Sequence, residues 1–314
     1  MREFEADLVV RSAVHEADGV LALTLGRHDG SDLPDWTPGA HIDLVLGEGL
    51  VRQYSLCGRT GDTDSWRVAV LRAPDSRGGS VRIHALEKGS VVRARGPRNH
   101  FPVVASRRYL FLAGGIGITP LLAMINEVDA AGAEWELYYG GRQRESMAFT
   151  AELARFGDRV RLVPEDEQGL LDLDALLGVP RADTLVYACG PERLLQAVEE
   201  RCASWPAGSL HLERFAPRAT EPAGAERSFE VVLEQSGTTL EVPPDKSVFE
   251  VVREAGVSVL GSCLEGICGT CETEVIDGDV DHRDSVLSDD ERETNEVMMI
   301  CVSRCTGPRL TLAL

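Results

Sequence analysis

No run of eighteen consecutive apolar residues occurs in this 314-residue sequence, so no membrane-spanning helix is expected. The opening segment MREFEADLVV is charged and lacks the apolar stretch of a secretory signal, which places the expected location in the cytoplasm. Positive charge is scarce: 32 Lys and Arg face 51 Asp and Glu, a net charge of −19 that disfavours nucleic acid as a partner. The seven His form no ligand-like cluster. A Rieske centre needs two His in place of two Cys, and only His282 lies in the relevant stretch. A zinc site of paired C-x2-C type lacks its second pair. No internal repeat or low-complexity tract stands out. What remains is an ordinary globular composition, 43% hydrophobic, with length enough for two or three domains.

Four of the eight cysteines carry the clearest signal. Cys263, Cys268, Cys271 and Cys301 read C-x4-C-x2-C, then twenty-nine residues, then C. By this spacing a plant-type ferredoxin holds a 2Fe–2S cluster, with three thiolates from one tight loop and the fourth from a distant strand. The loop contains Gly261, Gly266 and Gly269, which let the backbone fold closely and aim N–H groups at sulfur. A disulfide framework does not suit a chain of this length without a signal peptide. Cys305 is a rival fourth ligand; Cys301 is preferred because it directly follows the apolar run 297–300. Cys57, Cys189 and Cys202 fall in apolar or turn contexts and read as buried thiols. Residues 228–314 hold 18 Asp and Glu against 6 Lys and Arg, a net −12, which leaves −7 for the rest. That surface is either a solvated face or one that steers toward a basic partner.

Periodicity divides the chain into three. Residues 1–107 alternate apolar and polar over 8–14, 20–25, 41–46, 51–55, 66–71 and 90–95, with turn clusters such as DGSDLPD and GRTGDTD between. Six short strands predict a small antiparallel β-barrel, with one short helix near Ser80. Residues 108–216 alternate strands (109–113, 134–139, 160–163, 184–189) with helices (121–130, 149–156, 172–177, 192–203), which predicts an α/β domain with a parallel sheet. Residues 217–227, PRATEPAGAER, read as a linker, and 228–314 as a small α+β ferredoxin-like domain.

Two turns of the middle segment suit a dinucleotide. The first strand runs into Gly114-Gly115-Ile116-Gly117-Ile118-Thr119-Pro120 and then a helix. Glycines let a pyrophosphate approach the backbone, and a helix N-terminus supplies N–H donors and partial positive charge. Pro120 fits the first helical turn. Cys189-Gly190-Pro191-Glu192 forms a second strand-to-helix turn; both belong at the carboxyl edge of the sheet, where ligands bind. In the barrel segment, Arg52, Tyr54 and Ser55 sit at a strand end, and Gly78, Gly79 and Ser80 precede the short helix. An Arg beside a Tyr and a Ser can hold a phosphate while the ring lies along an isoalloxazine, although each residue alone also reads as ordinary strand or turn.

Together RQYSL, GGS, PRNHF, GGIGITP, CGPE and CLEGICGTC resemble the phthalate dioxygenase reductase family, with which vanillate demethylase reductase subunits are grouped. The likeness spans nearly the whole chain, in the order flavin, pyridine nucleotide, ferredoxin. It implies FMN contacted by Arg52, Tyr54 and Ser55, with Gly78, Gly79 and Ser80 on its phosphate. It implies NADH along Gly115, Gly117 and Thr119, with Cys189, Gly190 and Pro191 near the nicotinamide, and Phe215 of HLERF close to the flavin. FAD is the alternative flavin. The loop Gly140-Gly141-Arg142-Gln143-Arg144-Glu145 offers both Arg and Glu, so it does not separate NADH from NADPH; the resemblance favours NADH.

Hydride carries two electrons and a 2Fe–2S cluster takes one, so a flavin between them is the expected intermediary. The implied function is the reductase component of an oxygenase system. Electrons would pass from NADH through FMN and the cluster to a terminal Rieske non-haem iron oxygenase or a cytochrome P450. No catalytic acid, base or nucleophile is required of the protein. A redox-sensing module that signals to a regulatory partner is the alternative.

Overall fold

A computed structural model describes residues 3–47, 49–74, 76, 78–218 and 227–314. The chain forms two compact units, Met1–Glu213 and Arg214–Leu314. Of the expected linker, residues 219–226 lie outside the described residues.

The first unit opens with β1 (Glu5–Ala17), β2 (Val20–Arg27), β3 (His41–Val45), β4 (Val51–Ser55), β5 (Trp66–Leu71) and β6 (Val91–Arg98). They make one sheet in the order β4-β3-β6-β1-β2-β5, with every pair antiparallel. A bridge between Leu56, just past β4, and Val68 of β5 joins the two edges and closes the barrel. Leu8, Leu23, Leu25, Ile42 and Leu44 fill its interior with no exposure, each worth about 1.5–3 kcal/mol of burial. β1 runs further than its alternation shows, because register shifts at Val10/Ser12 and His15/Ala17 interrupt the period of two. The short helix follows at Gly79–Ile83, with Gly78 at φ 90 as its N-cap.

A parallel sheet completes this unit: β7 (Arg108–Gly114), β8 (Glu134–Gly141), β9 (Val160–Pro164), β10 (Thr184–Cys189) and β11 (Leu210–Glu213), in the order β11-β10-β7-β8-β9. β7 is apolar on both faces because both are covered. Tyr109, Phe111 and Ala113 enter one core with helix Ile118–Ala130; Leu110 and Leu112 enter another with helix Glu192–Cys202. The first of these cores also takes in Val20, Ala22, Cys57 and Ala69 of the barrel segment. Polar struts run alongside it. Tyr187 Oη accepts from Val104 N (2.8 Å) and donates to Pro102 O (3.1 Å). Arg67 pairs with Glu152 (3.0 Å) and lies over the Phe149 ring. The shared core is why barrel and sheet, two segments in sequence, form one unit. The helix expected over 149–156 is broken: Phe149 adopts φ 62, Thr150–Leu153 is helical, and a tighter turn over Ala154–Arg159 is interrupted at Gly157.

The second unit contains β12 (Phe229–Leu233), β13 (Thr238–Val242), β14 (Glu272–Asp277), β15 (Val280–Asp281), β16 (Val297–Met299), β17 (Arg304–Cys305) and β18 (Arg309–Leu312). The main sheet runs β13-β12-β18-β14-β16, with β12 and β18 parallel; β15 and β17 pair separately. Helix Val248–Glu254 packs Val248, Phe249 and Val252 into its core. This helix and helix Asp289–Thr294 both start with a reciprocal Ser/Glu cap, Ser247 with Glu250 and Ser288 with Glu291.

Candidate redox sites

In the first unit the sequence-predicted residues divide between two places. Side chains alternate along β4, so Arg52 and Tyr54 share one face and Ser55 takes the other. Arg52 lies over the short helix: a Cβ on Gly79 would come within 2.7 Å of its Cγ. Its Nη1 donates to Val51 O (2.8 Å). Tyr54 packs against the barrel core, and burial pushes its hydroxyl up to about 12. Ser80 Oγ accepts from Ala73 N (3.1 Å) and bonds Ser76 Oγ (2.9 Å), which ties down the turn before the helix.

Ser55 is instead turned toward the parallel sheet, where its Oγ donates to Glu213 Oε2 at 3.5 Å. Glu213 ends β11 and is paired in register with Cys189, the last residue of β10. The three side chains thus come from three strands and meet at the carboxyl edge of the sheet. The surroundings of Cys189 and Glu213 favour their uncharged forms. Burial pushes the Glu213 carboxyl up to about 8, opposed by the Ser55 bond. Burial, then the nearby Glu213, raises the Cys189 thiol well above its ordinary range. His41, the cross-strand partner of Ser55, is driven down to about 3 by burial and the Arg98 charge, and is neutral too. Sequence reasoning missed Glu213. The only local sign of β11 is the four-residue alternation LHLE, too short to stand out.

The glycines of the two sheet-edge turns have distinct uses. A Cβ on Gly117 would lie 2.2 Å from Cys189 O, one on Gly190 would lie 2.9 Å from Gly114 Cα, and one on Gly114 would meet Pro191 Cδ at 2.7 Å. Those three let the two turns pack backbone to backbone. Gly115 alone of this run faces open space, at φ 55, and is the one positioned for a close-approaching ligand. Helix Ile118–Ala130 begins earlier than expected and takes in Thr119 and Pro120. Thr119 is buried, and its Oγ1 donates to Ile116 O (3.0 Å) within the turn. Pro191 is the N-cap of the helix Glu192–Cys202. Phe215 falls beyond the first unit and is 42% exposed.

In the second unit the four motif cysteines are brought together. Cys263 interacts with both Cys268 and Cys301, and Cys301 with Cys271. Cys268, Cys271 and Cys301 are buried, and Cys263 is partly so. The backbone serves the sulfurs as well: Glu265 N donates to Cys263 Sγ (3.3 Å), Ile267 N to the same sulfur, and Gly266 N to Cys301. Getting those N–H groups inward takes three left-handed residues, Leu264 (φ 56), Gly266 (φ 69) and Gly269 (φ 68). Contact with Cys263, then burial, pushes the Cys268 thiol far up, so a metal must displace protons to bind. Among the described residues no three His, Cys, Asp or Glu side chains converge on a single point. Four soft sulfurs are the donor set that iron–sulfur ligation uses. Cys305 stands apart in β17, with its Sγ on Arg309 O (3.3 Å).

No helix among the described residues is long and apolar enough to cross a membrane. Residues 231–306 match the 2Fe-2S iron-sulfur cluster binding domain family, and residues 111–200 match the oxidoreductase NAD-binding domain family. The chain is 45% identical to the putative toluene-4-sulfonate monooxygenase system reductase subunit TsaB2 of Comamonas testosteroni, over 94% of this chain and 95% of that one. The fold superposes on a solved phthalate dioxygenase reductase, described as a modular structure for electron transfer from pyridine nucleotides to [2Fe-2S]. That match has a TM-score of 0.71 and 34% identity, and covers 99% of this chain and 98% of that one. It also matches part of an intact type IV self-sufficient cytochrome P450 monooxygenase (TM-score 0.93, 46% identity), where it covers 99% of this chain but spans only 41% of the longer one. With both family models matched along it and a relative this similar over nearly its full length, the chain belongs to the oxygenase-system reductases of the phthalate dioxygenase reductase family.

Proposed function

We propose that the chain draws hydride from NADH at the sheet edge of its first unit and delivers single electrons from its second unit to a terminal oxygenase. When bound, FMN takes hydride and yields electrons singly, and a 2Fe–2S centre accepts them one at a time. The observation that carries this reading is the meeting of Ser55, Cys189 and Glu213 where barrel and parallel sheet share a core. That edge offers a flavin-sized ring and a nicotinamide a common, uncharged wall. A charge on Glu213 there would stabilise the cationic, oxidised nicotinamide, so its ionisation near pH 8 is expected to alter the rate of flavin reduction.

Each half has residues suited to the rest of the task. Arg52, with Gly78, Gly79 and Ser80 beneath it, would hold the FMN phosphate, with Tyr54 beside the ring. The open Gly115 and the start of helix Ile118–Ala130 would take the pyrophosphate of the nucleotide. Cys263, Cys268, Cys271 and Cys301 would hold the iron. A thiolate-held cluster in a chain with eight cysteines suits a reducing compartment, the cytoplasm. The acidic excess of the second unit suits a basic patch on a Rieske oxygenase or a P450. Rapid mixing with NADH or NADPH tests the reading, followed by mass analysis of the released flavin. FMN bleached faster by NADH supports it, whereas FAD, or a preference for NADPH, would contradict the assignment.

A further inference from the structure

Behind the cysteine loop lies a polar strap, residues 282–285, buried at its centre, that neither the metal ligands nor the flavin site uses. Its centre is Asp284, 1% exposed. Oδ2 accepts from Val286 N (3.0 Å) and Leu287 N (2.8 Å), and Oδ1 accepts from Ser303 Oγ (3.5 Å). His282 Nδ1 stands 3.7 Å from Oδ1, and Arg292 Nη2 donates to the Asp284 carbonyl at 2.7 Å. A buried carboxylate with this many partners is costly to maintain unless the arrangement is needed.

The strap touches both segments that carry the thiols. On one side it meets the three-cysteine loop at Gly266: Ser285 N donates to Gly266 O (2.8 Å), and a Cβ on Gly266 would lie 3.1 Å from Asp284 Cα. On the other it meets the turn after Cys301. Arg283 N donates to Ser303 Oγ (3.2 Å), and that same hydroxyl reaches Asp284. Val302 closes the gap, since its Cγ2 would stand 2.6 Å from the same added Cβ on Gly266.

We infer that Asp284 is a positioning residue which, with Ser303, locks the loop of Cys263, Cys268 and Cys271 to the turn of Cys301 and so fixes the spacing of the thiol set. The inference rests on the reading of those thiols as the cluster ligands. Partners one layer out from a metal typically govern affinity by 10–100-fold. Asp284→Ala removes the acceptor for two backbone N–H groups and for Ser303. Asp284→Asn keeps one oxygen for the N–H pair and presents an amide to the Ser303 hydroxyl.

The experiment compares these variants and Ser303→Ala with the wild type as full-length holoprotein. Iron loss to a chelator, the spin-resonance line shape of the reduced protein, and amide hydrogen exchange with and without iron are recorded. Asp284→Ala should lose iron about tenfold faster or more and show an altered line shape, Ser303→Ala should be intermediate, and Asp284→Asn should stay close to the wild type. Exchange over 263–268 and 299–303 should rise together in Asp284→Ala, in iron-free protein too. NADH-driven flavin bleaching in the same sample confirms a folded first unit. Wild-type iron retention and line shape in Asp284→Ala would overturn the inference, as would faster exchange confined to 284–287. A wild type that binds no iron would instead refute the ligand reading, while the iron-free exchange comparison would still decide whether Asp284 couples the two segments.

Discussion

The second unit gathers its four thiols from one short loop and the turn just after β16, whereas the first assembles its edge from Ser55 and Glu213, 158 positions apart, with Cys189 between. The thiol site is held by local backbone: left-handed residues, N–H groups aimed at sulfur, and the Asp284 strap. The edge in the first unit is held by long-range packing, a core shared between barrel and sheet and glycines that allow two turns to touch. A locally specified site should fail one residue at a time and leave its surroundings folded. A site specified by packing should fail together with its fold.

The largest effect expected is in the second unit. Cys301→Ser should abolish the iron–sulfur absorbance and spin-resonance signals and leave NADH-driven flavin bleaching intact, while Cys305→Ser should keep both. Loss of the signals in Cys305→Ser instead would exchange the two assignments.

Next comes a pair of substitutions in the first unit that look alike in sequence. Gly117→Ala drives a methyl into the Cys189 carbonyl and should cost roughly 1–3 kcal/mol or more. Gly115→Ala meets no atom and bears only its positive φ, about 1 kcal/mol. Denaturant unfolding followed by flavin release reads both, and the reverse ranking would break the packing account.

A smaller effect concerns pH. The folded Glu213 carboxyl titrates near 8, against 4.5 for an ordinary Glu, so its protonated form is the one the fold favours. Its stabilising contribution is therefore complete below about pH 4.5 and is lost as pH rises through about 8. Thermal unfolding of the first unit should weaken over that window in the wild type and less in Glu213→Gln. The rate of flavin reduction should lose an apparent pKa near 8 in the same variant. Identical pH profiles for the two proteins would remove Glu213 from the site.

The smallest effect is a cap. Ser288→Ala deletes a reciprocal helix cap, worth about 1 kcal/mol, and should lower the melting of the second unit by roughly 4–8 °C with flavin reduction unchanged. A matching drop in the first unit would show that the two do not melt independently.

The same contrast decides what could be read from the residues alone. The cysteine set was legible because its pattern is a spacing along the chain, and in the structure Cys263 interacts with Cys268 and Cys301, and Cys301 with Cys271. The barrel strands and the βα alternation were legible from period and turns. Glu213 was not, because its strand is four residues long and its meaning lies in register with Cys189. Nor was the division of labour among the glycines, since only the fold reveals that Gly117 faces a carbonyl and Gly115 faces open space. Arg52, Tyr54 and Ser55 looked like one cluster; strand alternation sends Ser55 to the opposite side.

The most direct test is anaerobic NADH titration of the Cys268→Ser variant beside the wild type, with flavin absorbance, spin resonance and reduction of an added terminal acceptor recorded together. The account predicts that both proteins bleach their flavin, while only the wild type develops a reduced iron–sulfur signal and passes electrons on. Acceptor reduction at the wild-type rate by Cys268→Ser would contradict it.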